Sequence, residues 1–407
     1  MKTAWIGIGL AAVGLGAQIG AAAMHAGLLA TVIIAVRRRA WFADRPLWTG
    51  VLSVIGAALL HALIGLEPPH WSYSTFPRYL LIIPIVAALA AGGDEAVRRR
   101  ALAWGLGLGA LSALYGIGQV VFETVGPLAV VHSEESRRLF YVHRPAGSAL
   151  TFFSGGLRAT GMVHHILAFG HIGAMLALAG AAVAIWSDRV RLRLFAVGLA
   201  LLCAFGVLLS GARAGLLGLM LGLGVLGLLR VAGSLRRALV WGVALVVFGA
   251  GLTAIVAPER VSGVASLTGR QPIWEHARGR IADSFPRGLG YGSYPDYAAK
   301  TYPTIPVLDG KRTAWAHNSW LSLMVEAPLA AVAWLLLWLL LLRRALDGFD
   351  SQPVWGGILA ASLLAWLLIS MFHDSHFQRV YAPFSFWLWG LCLGGLRASD
   401  LAPCTDQ

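Results

Sequence analysis

A 407-residue chain with 58% hydrophobic and only 13% charged residues, and a mean hydropathy of +0.72, lies far from soluble proteins, where about a quarter of residues carry charge. This composition excludes a soluble globular domain and defines an all-α polytopic membrane protein. The formal charge of +13 does not make nucleic acid a partner, because the arginines stand in short clusters at the ends of apolar runs, as membrane topology demands.

The amino terminus, Met1-Lys2-Thr3 before an apolar stretch and Ala21-Ala22-Ala23, has the outline of a signal peptide and is read as a retained first span. Twelve apolar runs are long enough to cross a hydrocarbon core of about 30 Å. They fall near 4–18, 21–36, 47–66, 79–92, 101–122, 163–186, 193–209, 214–229, 238–257, 319–342, 353–372 and 384–397. The first, second and fourth are short, which allows tilt or re-entrance.

Clusters at Arg37-Arg38-Arg39 with Arg45, Arg98-Arg99-Arg100, Arg189/Arg191/Arg193, Arg230/Arg236/Arg237 and Arg343-Arg344 fill alternate short connections. The positive-inside rule places these in the cytoplasm, together with both termini. Cys203 and Cys392 lie in apolar runs and Cys404 in the tail, so there is no disulfide framework. The expected division is residues 1–257 with spans one to nine, a large outer loop at 258–318, and residues 319–407 with the last three spans and a tail.

Two outer connections are long, about 123–160 and 258–318. The stretch from Pro258 to Trp320 carries eight basic residues against five acids. Long loops translocate regardless of charge, so this excess suggests an anionic ligand such as a phosphate or diphosphate. Solvated charge or contact with lipid headgroups explains it equally well. The run Gly288-Leu289-Gly290-Tyr291-Gly292 after Pro286 reads as a turn, since a nucleotide-type loop requires a strand before it and a helix after it.

Ser210-Gly211-Ala212-Arg213-Ala214-Gly215 joins two spans with almost no loop, so Arg213 sits at the outer boundary near a helix amino terminus, an anion site or a snorkelling anchor. His317 precedes a helix cap at Asn318 or Ser319. It is either a polar anchor or, kept neutral by nearby arginines, a general base. Glu326 is expected two turns inside the tenth span, bonded to a neighbouring helix or functional. His373-Asp374-Ser375-His376 falls short of a metal-ligand spacing, and the first outer connection, around Gln18-Ile19-Gly20, has no carboxylate. His164, His165 and His171 line a cavity or cap the sixth span.

Taken together, these residues resemble the O-antigen ligase and polymerase superfamily of bacterial membrane glycosyltransferases. Four places carry the likeness. Ser210 to Leu217 is similar to the family's Ser-Gly-Ser-Arg-Gly stretch. Gly269-Arg270 with Trp274, Pro286 and Gly288-Leu289-Gly290 resembles its large-loop pattern. His317-Asn318-Ser319-Trp320-Leu321 with Glu326 resembles its His-Asn-x-x-Leu segment, and Arg158-Ala159-Thr160-Gly161 its Arg-x-x-Gly. Ala212 in place of Ser, and Ala327-Pro328 after the glutamate, depart from the pattern.

The resemblance implies an enzyme of the bacterial inner membrane with its active site facing the periplasm. It would move a glycan from undecaprenyl diphosphate to a hydroxyl of lipid A-core oligosaccharide, with inversion and with neither cofactor nor metal. His317, Arg213 and Arg270 would be catalytic, the arginines on the diphosphate and His317 taking the acceptor proton. Arg158, Arg278, Asn318 and Tyr291 would contact donor or substrate. An O-antigen polymerase extending glycan on its carrier, a protein O-oligosaccharyltransferase, and a transporter with twelve spans are the alternatives.

Overall fold

The computed structural model describes residues 44–67, 79–92, 94–122, 159–163, 165–232, 270–304, 316–373 and 381–400. Among these, every regular element is helical. The expected spans at 4–18, 21–36 and 238–257, most of the first long loop, and Arg158 and His164 lie outside the described residues.

Twelve α-helices are described: α1 (Arg45–Ile64), α2 (Ile82–Ala91), α3 (Glu95–Val121), α4 (Ile166–Trp186), α5 (Val190–Ser210), α6 (Arg213–Ala232), α7 (Gln271–Ser284), α8 (Tyr294–Thr301), α9 (Ser319–Glu326), α10 (Pro328–Phe349), α11 (Pro353–Phe372) and α12 (Tyr381–Asp400). Seven of them (α1, α3, α4, α5, α6, α10 and α11) are long and apolar enough to cross a membrane. At 1.5 Å per residue, a 20-residue helix covers about 30 Å. The chain is thus a multi-pass membrane protein, and α2, with 10 residues, is the short apolar element anticipated near 79–92.

Burial sorts these helices. In their most apolar stretches α4 is 83% and α11 72% buried, whereas α5 is 33% and α1, α6 and α10 are each 39% buried. A helix apolar all round with its surface covered is a central helix, so α4 and α11 lie inside the bundle, as do α2 and α12, whose described side chains are nearly all buried, while α1, α5, α6 and α10 present a face outward. Interlocked aromatic rings hold the middle: Trp334 on α10, Trp366 on α11 and Trp389 on α12 meet edge to face at 5.4–5.5 Å, an arrangement favoured by the ring quadrupoles.

Two boundaries differ from expectation. The arginines at 98–100 stand inside α3, because Asp94 caps the helix by accepting from the Val97 amide at 2.8 Å. Glu95 then pairs with Arg98 and Arg99. The span expected at 319–342 is two helices, with a break at Ala327 (φ −150°, ψ 77°). Pro328 causes it, having no N–H and excluding the α conformation from the residue before it. Glu326 is therefore the last residue of a short helix and not a group deep within a span.

This break receives the outer loop. Gly288–Gly290 lies between two main chains: the Leu289 and Gly290 amides donate to the Val325 and Glu326 carbonyls at 2.9 and 3.0 Å, and the Leu66 and Glu67 amides donate to the Gly288 and Leu289 carbonyls at 3.3 and 2.6 Å. His61 joins the same seam, one ring nitrogen on the Arg287 carbonyl at 2.8 Å and the other accepting the Leu329 amide at 3.2 Å. Gly288 has φ +67° and Gly290 φ +116°, conformations that suit glycine. A methyl group at Gly290 would lie 2.6 Å from the Glu67 carbonyl oxygen. Gly290→Ala is expected to cost about 1–3 kcal/mol, and thermal unfolding of the detergent-solubilised protein measures it.

Above the seam, α7 and α8 enclose their own apolar core of Ile273, Ala277, Leu289, Tyr294, Ala298 and Tyr302, closed by Ala316 and Val325. The described part of the loop, 270–304, is a folded cap on the bundle.

Candidate functional site

Arg270 and His317 stand at opposite ends of this cap and are brought together beside the end of α11. Arg270 precedes α7 and donates from Nη1 to the Phe372 carbonyl at 2.6 Å. That carbonyl belongs to the last turn of α11, where helix dipoles leave partial negative charge. Trp274, one turn along α7, donates from Nε1 to the Ala316 carbonyl at 2.9 Å, which fixes the residue before His317. His317 itself has φ +51°, a left-handed conformation that non-glycine residues adopt at a cost of about 1–3 kcal/mol.

Asn318 then caps α9, its Oδ1 accepting from the Trp320 and Leu321 amides at 3.0 and 3.1 Å. The Ser319 hydroxyl donates to the His373 carbonyl at 2.8 Å. Strain at His317, a cap on one side of it and an indole hydrogen bond on the other hold the imidazole in place. Burial, and secondarily the positive charge of Arg270, lower its pKa to about 4. The ring is neutral at physiological pH, with a lone pair able to accept a proton.

A second and a third histidine extend the site. The rings of His317 and His373 are 6.4 Å apart, and that of His373 meets His171 edge to face at 5.2 Å. His171 is fully buried and lies against Tyr381 at 4.9 Å. Burial above all, with the charges of the neighbouring histidines and Arg270, pushes His373 well below the ordinary histidine range. The pairing of His171 with His373 was invisible in sequence, because the two belong to different helices far apart in the chain. Asp374, Ser375 and His376 are outside the described residues, and among those described no three His, Cys, Asp or Glu side chains are grouped so as to hold a metal ion.

Arg213 is the first residue of α6 and is exposed. The turn before it uses Gly211 in the left-handed conformation (φ 59°), and the Ser210 hydroxyl accepts the Ala212 amide at 3.1 Å. Two residues on, Gly215 abuts the histidines: a methyl there would lie 3.2 Å from His171 Cδ2. Arg213 thus opens at the same end of the bundle as the three histidines, without a described contact that joins it to Arg270 or His317. The Ala159 amide donates to the Leu209 carbonyl at 3.1 Å, and Gln119 Oε1 accepts the Thr160 and Gly161 amides at 3.0 and 3.1 Å. The Ala159-Thr160-Gly161 stretch is thereby clamped beside the Ser210–Arg213 turn.

The remaining candidates stand apart. Arg278 is on the exposed side of α7, opposite Ile273 and Ala277. Tyr291 is 2% exposed, and burial together with the Glu326 carboxylate holds its hydroxyl well above the ordinary range. Glu326 accepts the Tyr294 amide through Oε1 at 3.1 Å, so it anchors the cap. Glu326→Ala is expected to leave that buried amide unpaired, at about 1–3 kcal/mol, and to speed proteolysis of the loop before the spans unfold. Limited digestion of the two proteins side by side checks this.

These features define a polytopic helical membrane protein in which three histidines and a helix-anchored arginine gather beside a folded cap. Residues 198–327, from the middle of α5 to the break before α10, match the family model described as O-antigen ligase. Over this segment the chain is similar to the O-antigen ligase family, the one its motifs resemble. No curated protein gives a significant match to the chain. The matched segment contains Arg213, Arg270, Asn318 and His317, and also Glu326.

Proposed function

We propose that the protein is an O-antigen ligase that moves a finished glycan from undecaprenyl diphosphate to a hydroxyl of lipid A-core oligosaccharide. The observation that carries this reading is the juxtaposition of a half-buried, neutral His317 with Arg270 inside the family-matched segment. A diphosphate leaving group requires cations as charge develops on it, and an acceptor hydroxyl requires a base. Arg270 supplies the first, joined by Arg213 at the exposed end of α6, and His317 supplies the second.

Attack by one hydroxyl on the anomeric carbon forms the new glycosidic bond and breaks the bond to the diphosphate oxygen, with inversion. The proton passes to His317 Nε2 or Nδ1, and the lipid diphosphate leaves as an anion stabilised by guanidinium charge. Since those groups are the proposed cations, transfer is expected to persist in excess chelator. The arginine-rich ends of α1, α3, α5 and α10 are assigned to the cytoplasm, which turns the site toward the periplasm.

The test follows both lipids on a gel, with protein in detergent, glycan-loaded undecaprenyl diphosphate, lipid A-core and chelator. Glycan on lipid A-core supports the ligase. Longer glycan remaining on the carrier overturns it in favour of a polymerase, and activity that vanishes with chelator and returns with Mg²⁺ or Mn²⁺ overturns the role given to the arginines.

A further inference from the structure

At the other end of α4 from His171, about 22 Å away along the helix axis, a cavity of about 460 Å³ opens among α3, α4, α5 and the first turn of α11. It falls within the size range of ligand sites. Leu102, Leu106 and Leu199 line its walls, and the walls continue outward into a lipid-facing surface on which Phe195 is 61% exposed. The mouth differs in character: Arg99 and Arg189 stand there with the indoles of Trp186 and Trp355.

The four charged residues that line the cavity, Glu95, Asp188, Arg99 and Arg189, balance, and a positive excess comes from Arg98 behind Glu95, which is buried and outside the lining. Glu95 is shared by two guanidinium groups, Arg98 at 2.9 Å and Arg99 at 2.8 Å, and also accepts from the Trp355 indole at 3.3 Å. Asp188 is the other acid at the mouth and stands beside Arg189. With Arg98 counted, three arginines stand against two carboxylates, a net charge of +1 around the cavity. The first turns of α5 and α11, neither with a capping side chain, add their free amides to it. A cationic rim over an apolar slot open to lipid matches a phosphate attached to an acyl chain, and matches a soluble anion poorly.

We propose that this cavity is a binding site for an anionic phospholipid of the leaflet at the arginine-rich end. One acyl chain lies along Leu102, Leu106 and Leu199, and the headgroup phosphate sits between Arg99 and Arg189. Annular lipid covers any membrane protein, but this site selects its occupant by charge. It is separate from the glycosyl-transfer site, and the inference holds whatever reaction that site performs.

The test uses the full chain, reconstituted in nanodiscs of phosphatidylglycerol and phosphatidylethanolamine, transferred to mild detergent and weighed by native mass spectrometry. The expected result is retention of one phosphatidylglycerol in preference to phosphatidylethanolamine, reduced on the order of tenfold in Arg99→Ala/Arg189→Ala. Ala103→Trp, which fills the slot and keeps the charges, should reduce it as well. Arg191→Ala, on the same helix but outside the cavity, should not. Equal retention of the two lipids, or equal loss in Arg191→Ala, would overturn the proposal in favour of general surface attraction. Retention unchanged in both cavity variants would overturn it outright, and unshifted thermal unfolding of each variant separates loss of the lipid from loss of the fold.

Discussion

His317→Ala is expected to lower transfer by roughly 10²- to 10⁴-fold, the range that a positioned general base contributes, while donor binding persists. The pH profile separates this from a structural role. In the free protein the His317 pKa is lowered to about 4, by burial first and Arg270 second. The histidine works as a base only when neutral, so kcat/KM should stay level as pH falls from 7 and decline only near pH 4. A bound diphosphate offsets the charge of Arg270, and the limb in kcat should move to higher pH. A His317→Ala protein that keeps wild-type kcat, or a kcat/KM limb near the ordinary histidine value in wild type, would remove His317 from the role.

Arg270→Ala is expected to cost about 10²- to 10³-fold in kcat, the scale of one lost transition-state donor. The geometry adds a second signature. Arg270 Nη1 serves the Phe372 carbonyl, and in the proposed reaction the same planar fork also reaches an oxygen of the diphosphate. Arg270→Lys keeps the charge but cannot serve the helix end and the ligand with a fixed fork, so it should recover only part of the loss. Because Arg270 is the second cause of the low His317 pKa, removing it should also shift the acid limb of kcat/KM upward. A fall in kcat without that shift would mean that the two side chains work apart.

Much of this architecture was legible in the chain. Apolar runs of about twenty residues mark helices whatever the tertiary context, and α1, α4, α5, α6 and α11 fall within a few residues of the expected spans. The break at Ala327-Pro328 was on the page as a departure from the family pattern, yet its consequence for Glu326 was not. It depends on which main chain fills the gap, and that chain is Gly288–Gly290 from the loop. His317 was singled out by its place before a helix cap, and Arg270 only by the family resemblance. His171 and His373 were not paired, because α4 and α11 become neighbours only through packing. Asn318 was expected both to cap a helix and to contact substrate; the structure shows the cap, which occupies its carbonyl oxygen.

The seam at Gly288–Gly290 is made by main-chain hydrogen bonds to Leu66, Glu67, Val325 and Glu326, and this governs how the protein tolerates change. Backbone groups are the same in every residue except proline, so the partners' side chains are not what hold the cap in register. A saturation library should therefore accept wide variation at Leu66, which is exposed, and reject nearly all of it at Gly288 and Gly290. The outer cap is coupled to the bundle by shape more than by the identity of the residues facing it.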